Sequence, residues 1–356
     1  MRIVTIVGNR PQFLKAAAVS GPLRARAEEV LVHTGQHHDD GLSGVFFREL
    51  GLPTADRELG LGGGSNTAQC ARMLDALEPI LLELAPDRVL VYGDTNSTLA
   101  GGLAAAQAGV PVAHVEAGMR SFDPAMPEEL NRVLCDHLAD LLLCPSPTAV
   151  DNLAAEGLAD KAELVGDVMV DVALRLAPMA RRAREPLGRL GVEPGGYLLL
   201  TAHRAGNVDP PERLAALVSV LEALPLPAVL PLHPRTRGRL HQAGLLERVA
   251  ALPGLHVVEP MGPMDFAALL YQARAVLTDS GGVQKEAYLA RVPCITLRGR
   301  TEWVETVAAG FNHLVDLDVE AVLAALEQPL PAEHPALYGD GRAGERVAAA
   351  LTLKSA

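Results

Sequence analysis

What most constrains this chain is the alternation of short apolar runs with longer amphipathic ones, repeated almost from end to end. Runs rich in branched and leucine side chains occupy residues 3–7, 30–33, 89–92, 112–115, 141–144 and 163–165. A second series occupies 197–201, 228–232, 256–259, 275–278 and 294–297. Between them, stretches such as 67–84, 95–108, 128–138, 211–223 and 281–289 carry a helical period. Strands separated by helices pair in parallel through crossovers. At 356 residues the chain also exceeds what one core usually serves. The expected fold is α/β, with two Rossmann-like parallel-sheet domains facing a central cleft. The first series ends near Gly166, and the Pro/Gly-rich "EPGGY" (193–197) opens the second. The expected domains are therefore 1–167 and 168–340, with a helix in 341–356 packing back on the first.

Composition removes several classes of function. A net charge of −12 argues against a nucleic-acid surface, although a nucleotide needs only one local positive pocket. No apolar run reaches spanning length without a charge or breaker, so membrane insertion is not expected. The opening "MRIVTIVGNRPQF" has the pattern of a strand and not of a signal peptide, which makes cytoplasm the expected location. The four cysteines are far apart with no CxxC pair, so neither a disulfide framework nor a zinc site is indicated.

In parallel sheets, ligands bind beyond the carboxyl ends of the strands. There the sequence is polar and specific. "GNRPQFLK" follows the first strand and supplies Arg10 and Lys15; "YGDTNST" supplies Asp94; "HVEAGMRSFD" supplies Glu116 and Arg120; "MPEELNR" opens a helix with Glu128 and Glu129. In the second half "TAHRAGN" supplies His203 and Arg204, "LHPRT" supplies His233, and "TDSGGVQKEA" places Ser280, Gly281 and Gly282 at a helix start. Free N–H groups and the helix dipole favour an anion there, and glycines let the backbone approach a bulky ligand. A simple helix cap would use the same residues. Arg10, Lys15 and the Ser280–Gly282 turn together suit a diphosphate, and Glu286, further along that helix, could bind the hydroxyls of a ribose. Surface ion pairs and a solvated helix face are the plainer alternatives for Arg10, Lys15 and Glu286. Asp94, Glu116 and Glu128 form a carboxylate group suited to acid/base work, because crowding and burial spread their pKa values. Asp94 and Glu128 could also cap helices, whereas Glu116 has no capping role.

Other patterns signal less. Adjacent His37 and His38 in "HHDD" point in different directions on an extended chain, and no metal site is expected. "LGLGGGSN" lacks the third glycine and the preceding strand of a dinucleotide loop. Neither a P-loop nor G-x-S-x-G occurs.

Taken in order and spacing, "GNRPQFLK", "GDTNST", "HVEAGMRSFDPAMPEELNR", "TAHRAGN" and "TDSGGVQKEA" resemble the non-hydrolysing UDP-N-acetylglucosamine 2-epimerases, from Arg2 to about Val315. The resemblance implies a GT-B-like fold with UDP bound mainly by the second domain. It also implies interconversion of UDP-GlcNAc and UDP-ManNAc by a homodimer that feeds cell-envelope polysaccharide, without metal or nicotinamide. By motif, Arg10, Ser280, Gly281 and Gly282 would hold the diphosphate, Glu286 the ribose, and the backbone near Phe266 the uracil. Lys15, Arg120 and His233 would join the substrate site. Asp94, Glu116 and Glu128 match the family's catalytic carboxylates, with His203 assisting. Glu128 is chosen over Glu129 by alignment alone. Gln36, His37, Arg204 and His233 fit a second, regulatory nucleotide-sugar site seen in some bacterial members. The glycine-rich 59–66 segment departs from the basic segment of those members, and "TEWVET" replaces the commoner Thr-Glu-Arg-Pro-Glu.

The chemistry implied is loss of UDP from C1 and of the C2 proton to give 2-acetamidoglucal, then re-addition with the proton on the opposite face. Two faces require more than one proton-handling group. A hydrolysing epimerase, a GT-B glycosyltransferase and a nucleotide-sugar sensor without turnover are the alternatives.

Overall fold

The computed structural model describes residues 1–36 and 54–353, apart from the side chain of Arg10. His37 therefore lies outside the described residues. Within them are two parallel sheets of seven and six strands.

The first sheet comprises β1 (Arg2–Val7), β2 (Glu28–His33), β3 (Arg57–Glu58), β4 (Arg88–Tyr92), β5 (Val112–Val115), β6 (Leu141–Cys144) and β7 (Ala162–Leu164). Its order is β3-β2-β1-β4-β5-β6-β7. The second comprises β8 (Leu198–Thr201), β9 (Ala228–Pro231), β10 (Leu255–Val258), β11 (Ala275–Thr278), β12 (Cys294–Thr296) and β13 (Asn312–Leu314). Its order is β10-β9-β8-β11-β12-β13. Among the described residues every strand pairing is parallel. The helix Arg10–Arg24 joins β1 to β2, and from β3 on helices lie between the strands of each sheet that are consecutive in the chain. Two edge strands, β3 and β13, correct the sequence expectation. Arg57 and Glu58 are exposed, and Asn312-His313-Leu314 has one aliphatic residue, so neither carries an apolar run.

In each sheet the strand order reverses once, between β1 and β4 and between β8 and β11. A crevice opens where neighbouring crossovers leave to opposite faces, and ligands bind at such points. The four turns leaving these strands begin at Gly8, Gly93, Ala202 and Asp279. They carry or lead into Arg10, Lys15, Asp94, His203, Arg204 and Ser280–Gly282, whereas Glu116 follows β5 and His233 follows β9.

The chain divides into two compact units, Met1–Leu174 with Tyr338–Ala356, and Arg175–Leu337. The division falls inside the helix Val168–Ala180. In the first unit, the helix Ala343–Thr352 lies along the helix Arg10–Arg24. Their approach is close enough that a Cβ on Gly344 would meet the Ala18 carbonyl at 2.2 Å. The incoming helix has no side-chain cap of its own; Asp171 accepts from the amides of Ala343 and Gly344 at 3.1 and 2.8 Å. The second unit buries both faces of its sheet. Leu200, Leu230 and Leu277 lie in one cluster; Leu199, Val229 and Val276 lie in the other. Among the described residues no helix is long and apolar enough to cross a membrane.

Candidate active site

The first unit gathers polar side chains at the ends of β1, β4 and β5. Asn9 caps the helix Arg10–Arg24 in a capping box with Gln12. Gln12, wholly buried, also donates to the Tyr92 carbonyl at 3.0 Å and Thr98 Oγ1 at 2.9 Å, tying the β1 turn to the β4 turn. Lys15 follows on the same helix and donates from Nζ to the Glu116 carboxylate. Both side chains are nearly out of water, at 8% and 11% exposure. Glu116 itself has φ +69°, a left-handed conformation costing a non-glycine residue about 1–2 kcal/mol. Gly93 explains how the pair fits, because a Cβ there would lie 2.7 Å from Lys15 Nζ and 3.1 Å from Glu116 Oε2.

The helix Pro127–Leu138 completes the group. Arg132 donates to Asp94 Oδ2 at 2.5 Å and to Glu129 Oε2 at 2.7 Å, while Asn131 donates to the Asp94 carbonyl at 3.0 Å. Glu129 also accepts from the Ser121 amide and hydroxyl at 2.9 and 3.0 Å and from the Phe122 amide at 2.8 Å. Burial would raise the pKa of Glu129, but these donors and Arg132 outweigh it and hold the carboxyl below its ordinary value. Glu129 thus ties the 121–122 turn to the helix. Glu128, half-buried beside it, has neither a hydrogen-bond nor an ion-pair partner among the described residues. Arg132 was absent from the sequence candidates; its signal was the i,i+3 spacing from Glu129 inside "PEELNR".

Two of the expected ligand residues have partners within the protein. Arg120, expected in the substrate site, is 5% exposed and binds the Met119 carbonyl, Asp136 and both oxygens of Glu156, each at 2.7 Å. An isolated arginine in a loop motif gives no sign of Asp136, on the helix Pro127–Leu138, or of Glu156, which caps the end of the helix Pro147–Ala155. Gln36, considered for a regulatory site, accepts from the Ser97 amide at 3.1 Å and hydroxyl at 2.6 Å at the start of the helix Asn96–Gln107.

In the second unit the organising residue is Asp279, which is wholly buried at the end of β11. It accepts from the amides of His203 at 3.0 Å and Arg204 at 2.9 Å and from Asn207 Nδ2 at 3.2 Å. Parallel pairing of Thr201 with Thr278 brings these turns together. His203 Nδ1 lies 3.5 Å from Asp279 Oδ1, and its ring stacks on His233 at 5.1 Å. His233 Nδ1 in turn caps the helix Pro234–Gln242 by accepting from the Arg235 amide at 3.1 Å.

The helix Gly281–Ala290 starts at Ser280, whose side chain makes no cap bond. The amides of Gly281 and Gly282 consequently have no acceptor within the helix. Beside this mouth lie Glu302, joined to Arg298 at 3.1 Å and 4.0 Å from Arg204. A Cβ on Gly281 would meet Glu302 Oε1 at 1.9 Å, so glycine is required for this approach. Burial, and then Arg204, lower the pKa of Arg298, with Glu302 and Asp279 opposing. Trp303, the departure in "TEWVET", is buried under Lys285, whose Nζ sits 4.4 Å from the ring centroid. Phe266 is also buried in the apolar cluster, and its amide donates to Gly262 at 3.0 Å. Glu286 is half-buried, close enough to Tyr271 to help burial raise that phenol to about 12. Among the described residues no group of three or more His, Cys, Asp or Glu is arranged to hold a metal.

The chain has counterparts among known proteins. Residues 23–352 match the family model described as UDP-N-acetylglucosamine 2-epimerase. The chain is 46% identical to the UDP-2,3-diacetamido-2,3-dideoxy-D-glucuronate 2-epimerase of Pseudomonas aeruginosa, over 98% of both chains. It is 39% identical to the UDP-N-acetylglucosamine 2-epimerase of Methanocaldococcus jannaschii, over 99% of both. A crystal structure of Methanocaldococcus jannaschii UDP-GlcNAc 2-epimerase in complex with UDP-GlcNAc and UDP superposes with a TM-score of 0.93, at 38% identity and 99% coverage of both chains. In sequence along nearly its whole length, and in the two-sheet GT-B-like architecture, the chain belongs to the UDP-N-acetylglucosamine 2-epimerase family.

Proposed function

We propose that this protein reversibly epimerises C2 of UDP-N-acetylglucosamine, giving UDP-N-acetylmannosamine without net hydrolysis. The observation that carries this reading is the presence of three carboxylates in three settings: Glu116 buried on Lys15, Asp94 held by Arg132, and Glu128 with no partner among the described residues. Groups in unlike surroundings can hold a proton and accept one at the same pH.

In the forward step a carboxylate takes the C2 proton. The C2–H electron pair becomes the C1=C2 double bond, and the C1–O bond breaks with its electrons leaving on the UDP oxygen. In the return step a proton reaches C2 from the other face while the UDP oxygen re-forms its bond to C1. Asp94, Glu116 and Glu128 share the proton handling. The open amides at Gly281 and Gly282, with Ser280 and His203, stabilise the charge that builds on the diphosphate. Glu286 takes the ribose hydroxyls, and the backbone around Phe266 reads the uracil. Lys15 acts by holding Glu116. The working form is a cytoplasmic homodimer acting in polysaccharide precursor supply.

A second reading concerns the sugar. The 46% identity to an enzyme named for a 2,3-diacetamido glucuronate favours a substrate with an additional acetamido group at C3 and a carboxylate at C6. The chemistry at C2 is unchanged, because the leaving group and the migrating proton are the same.

The test is incubation with each UDP-sugar in deuterium oxide, followed by proton NMR. Appearance of a second anomeric signal with deuterium at C2 supports the scheme and identifies the sugar. Product lacking deuterium at C2 overturns elimination, and release of free N-acetylmannosamine moves the protein to the hydrolysing class. No change in either substrate would leave a binding protein.

A further inference from the structure

We propose that His114 is a permanently charged imidazolium that positions the two turns bearing Asp94 and Glu116. His114 is on β5 and wholly buried. Its Nε2 lies 2.7 Å from the Gly93 carbonyl, and its Nδ1 lies 2.7 Å from Asp136 Oδ1. A carbonyl only accepts, so Nε2 carries a proton. Asp136 Oδ2 accepts from Arg120 at 2.7 Å and from the Gly118 amide at 3.1 Å. A carboxyl receiving a guanidinium and an amide is ionised, so Nδ1 carries a proton as well. The ring therefore has two donors committed to two acceptors.

The surrounding charges balance. His114 and Arg120 are positive; Asp136 and Glu156 are negative, with Arg120 donating to both acids. Beside Glu156, at the exposed edge, His137 Nδ1 lies 4.0 Å from Oε2; the other titratable groups acting on the ring are thiols. Cys135 comes from the helix Pro127–Leu138, and on β6 burial, then Asp136, push Cys144 up to about 12. Burial would by itself lower the pKa of His114, but Cys135 and Asp136 pull it well above the ordinary histidine value. Burial likewise works against ionisation of Asp136, and His114 and Arg120 overcome it.

The placement gives the ion pair its purpose. Gly93, at φ +63°, immediately precedes Asp94; Gly118, at φ +78°, stands two residues after Glu116. His114 grips the first turn through its carbonyl, and Asp136 grips the second through its amide. Loss of either ring proton would set two acceptors against each other and release one turn. The role in turnover rests on the proposed reaction, whereas the charge state does not.

The test uses the full chain labelled with nitrogen-15 histidine. We expect one imidazole, identified by its absence in H114Q, to keep both ring N–H signals from pH 6 to pH 9. A neutral tautomer in that range overturns the proposal whatever the substrate. With an active sugar nucleotide, H114Q should lower kcat by about 10²-fold, the scale of a displaced catalytic group, with KM changed less than about twofold. Unchanged kcat would overturn the positioning role. If H114Q does not fold, D136N serves in its place: His114 should then titrate, and kcat should fall in the same way. An imidazolium that persists to pH 9 in D136N would overturn the assignment of Asp136 as its counter-charge.

Discussion

Lys15 and Glu116 form an almost fully buried ion pair across the mouth of β4, with the bare Cα of Gly93 beneath it. Removing one partner of such a pair strands the other charge out of water, at a cost of about 3–5 kcal/mol. Lys15→Met and Glu116→Gln should each lower stability by that order in urea unfolding. The double variant should recover most of the loss, because neither charge then remains. Turnover should not recover: both Glu116→Gln variants should stay about 10²–10⁴-fold down, the range for a lost acid/base group. A double variant that regained turnover would remove Glu116 from the proton-handling set.

Glu128 and Glu129 are neighbours with opposite commitments. Glu128→Gln should leave stability within about 0.5 kcal/mol, since no partner among the described residues is lost. Its turnover should nevertheless fall about 10²–10⁴-fold. Glu129→Gln removes the charge that receives Ser121, Phe122 and Arg132 and should cost about 1.5–3 kcal/mol. Paired melting and rate measurements separate the two, and the reverse pattern would exchange their roles.

The same contacts set a pH dependence. Glu129 has a folded pKa below its unfolded value of about 4.3. Its contribution to stability is therefore fully present above that value and is lost as pH falls through the lowered folded pKa. The stability gap between the parent chain and Glu129→Gln should be constant from pH 8 to about pH 5 and shrink below about 4.3. A gap that widened in acid would contradict the ionised assignment.

Gly281 tests the helix mouth. In Gly281→Ala the new methyl would meet Glu302, which Arg298 holds in place. Displacing that carboxylate over the open amides should weaken UDP binding about tenfold, near 1.4 kcal/mol, in titration calorimetry. An unaltered Kd would take the diphosphate away from this turn.

Much of this architecture was legible because short apolar runs and helical periods are local. The Lys15, Asp94 and Glu116 turns could be read from their places after strands. What could not be read was partnership. Asp279 ends a strand in the sequence, yet its importance comes from β8 lying beside β11, which brings the His203 and Arg204 amides to its carboxylate. Arg120 has the composition of a ligand-binding residue, but its partners stand 16 and 36 positions away. His114 sits in a run that reads as a plain apolar strand, so a buried cation there left no trace in periodicity. β3 and β13 were missed for the opposite reason, since edge strands need little apolar content.

The helix Ala343–Thr352 gives this molecule an order of manufacture. It closes over the helix Arg10–Arg24, yet the ribosome makes it only after the whole contiguous stretch Arg175–Leu337. At about 5–20 residues per second, the opening sheet waits on the order of ten seconds for its last cover. The unit begun first is finished last, and a nascent chain stalled before residue 343 would present its uncovered flank to chaperones and proteases.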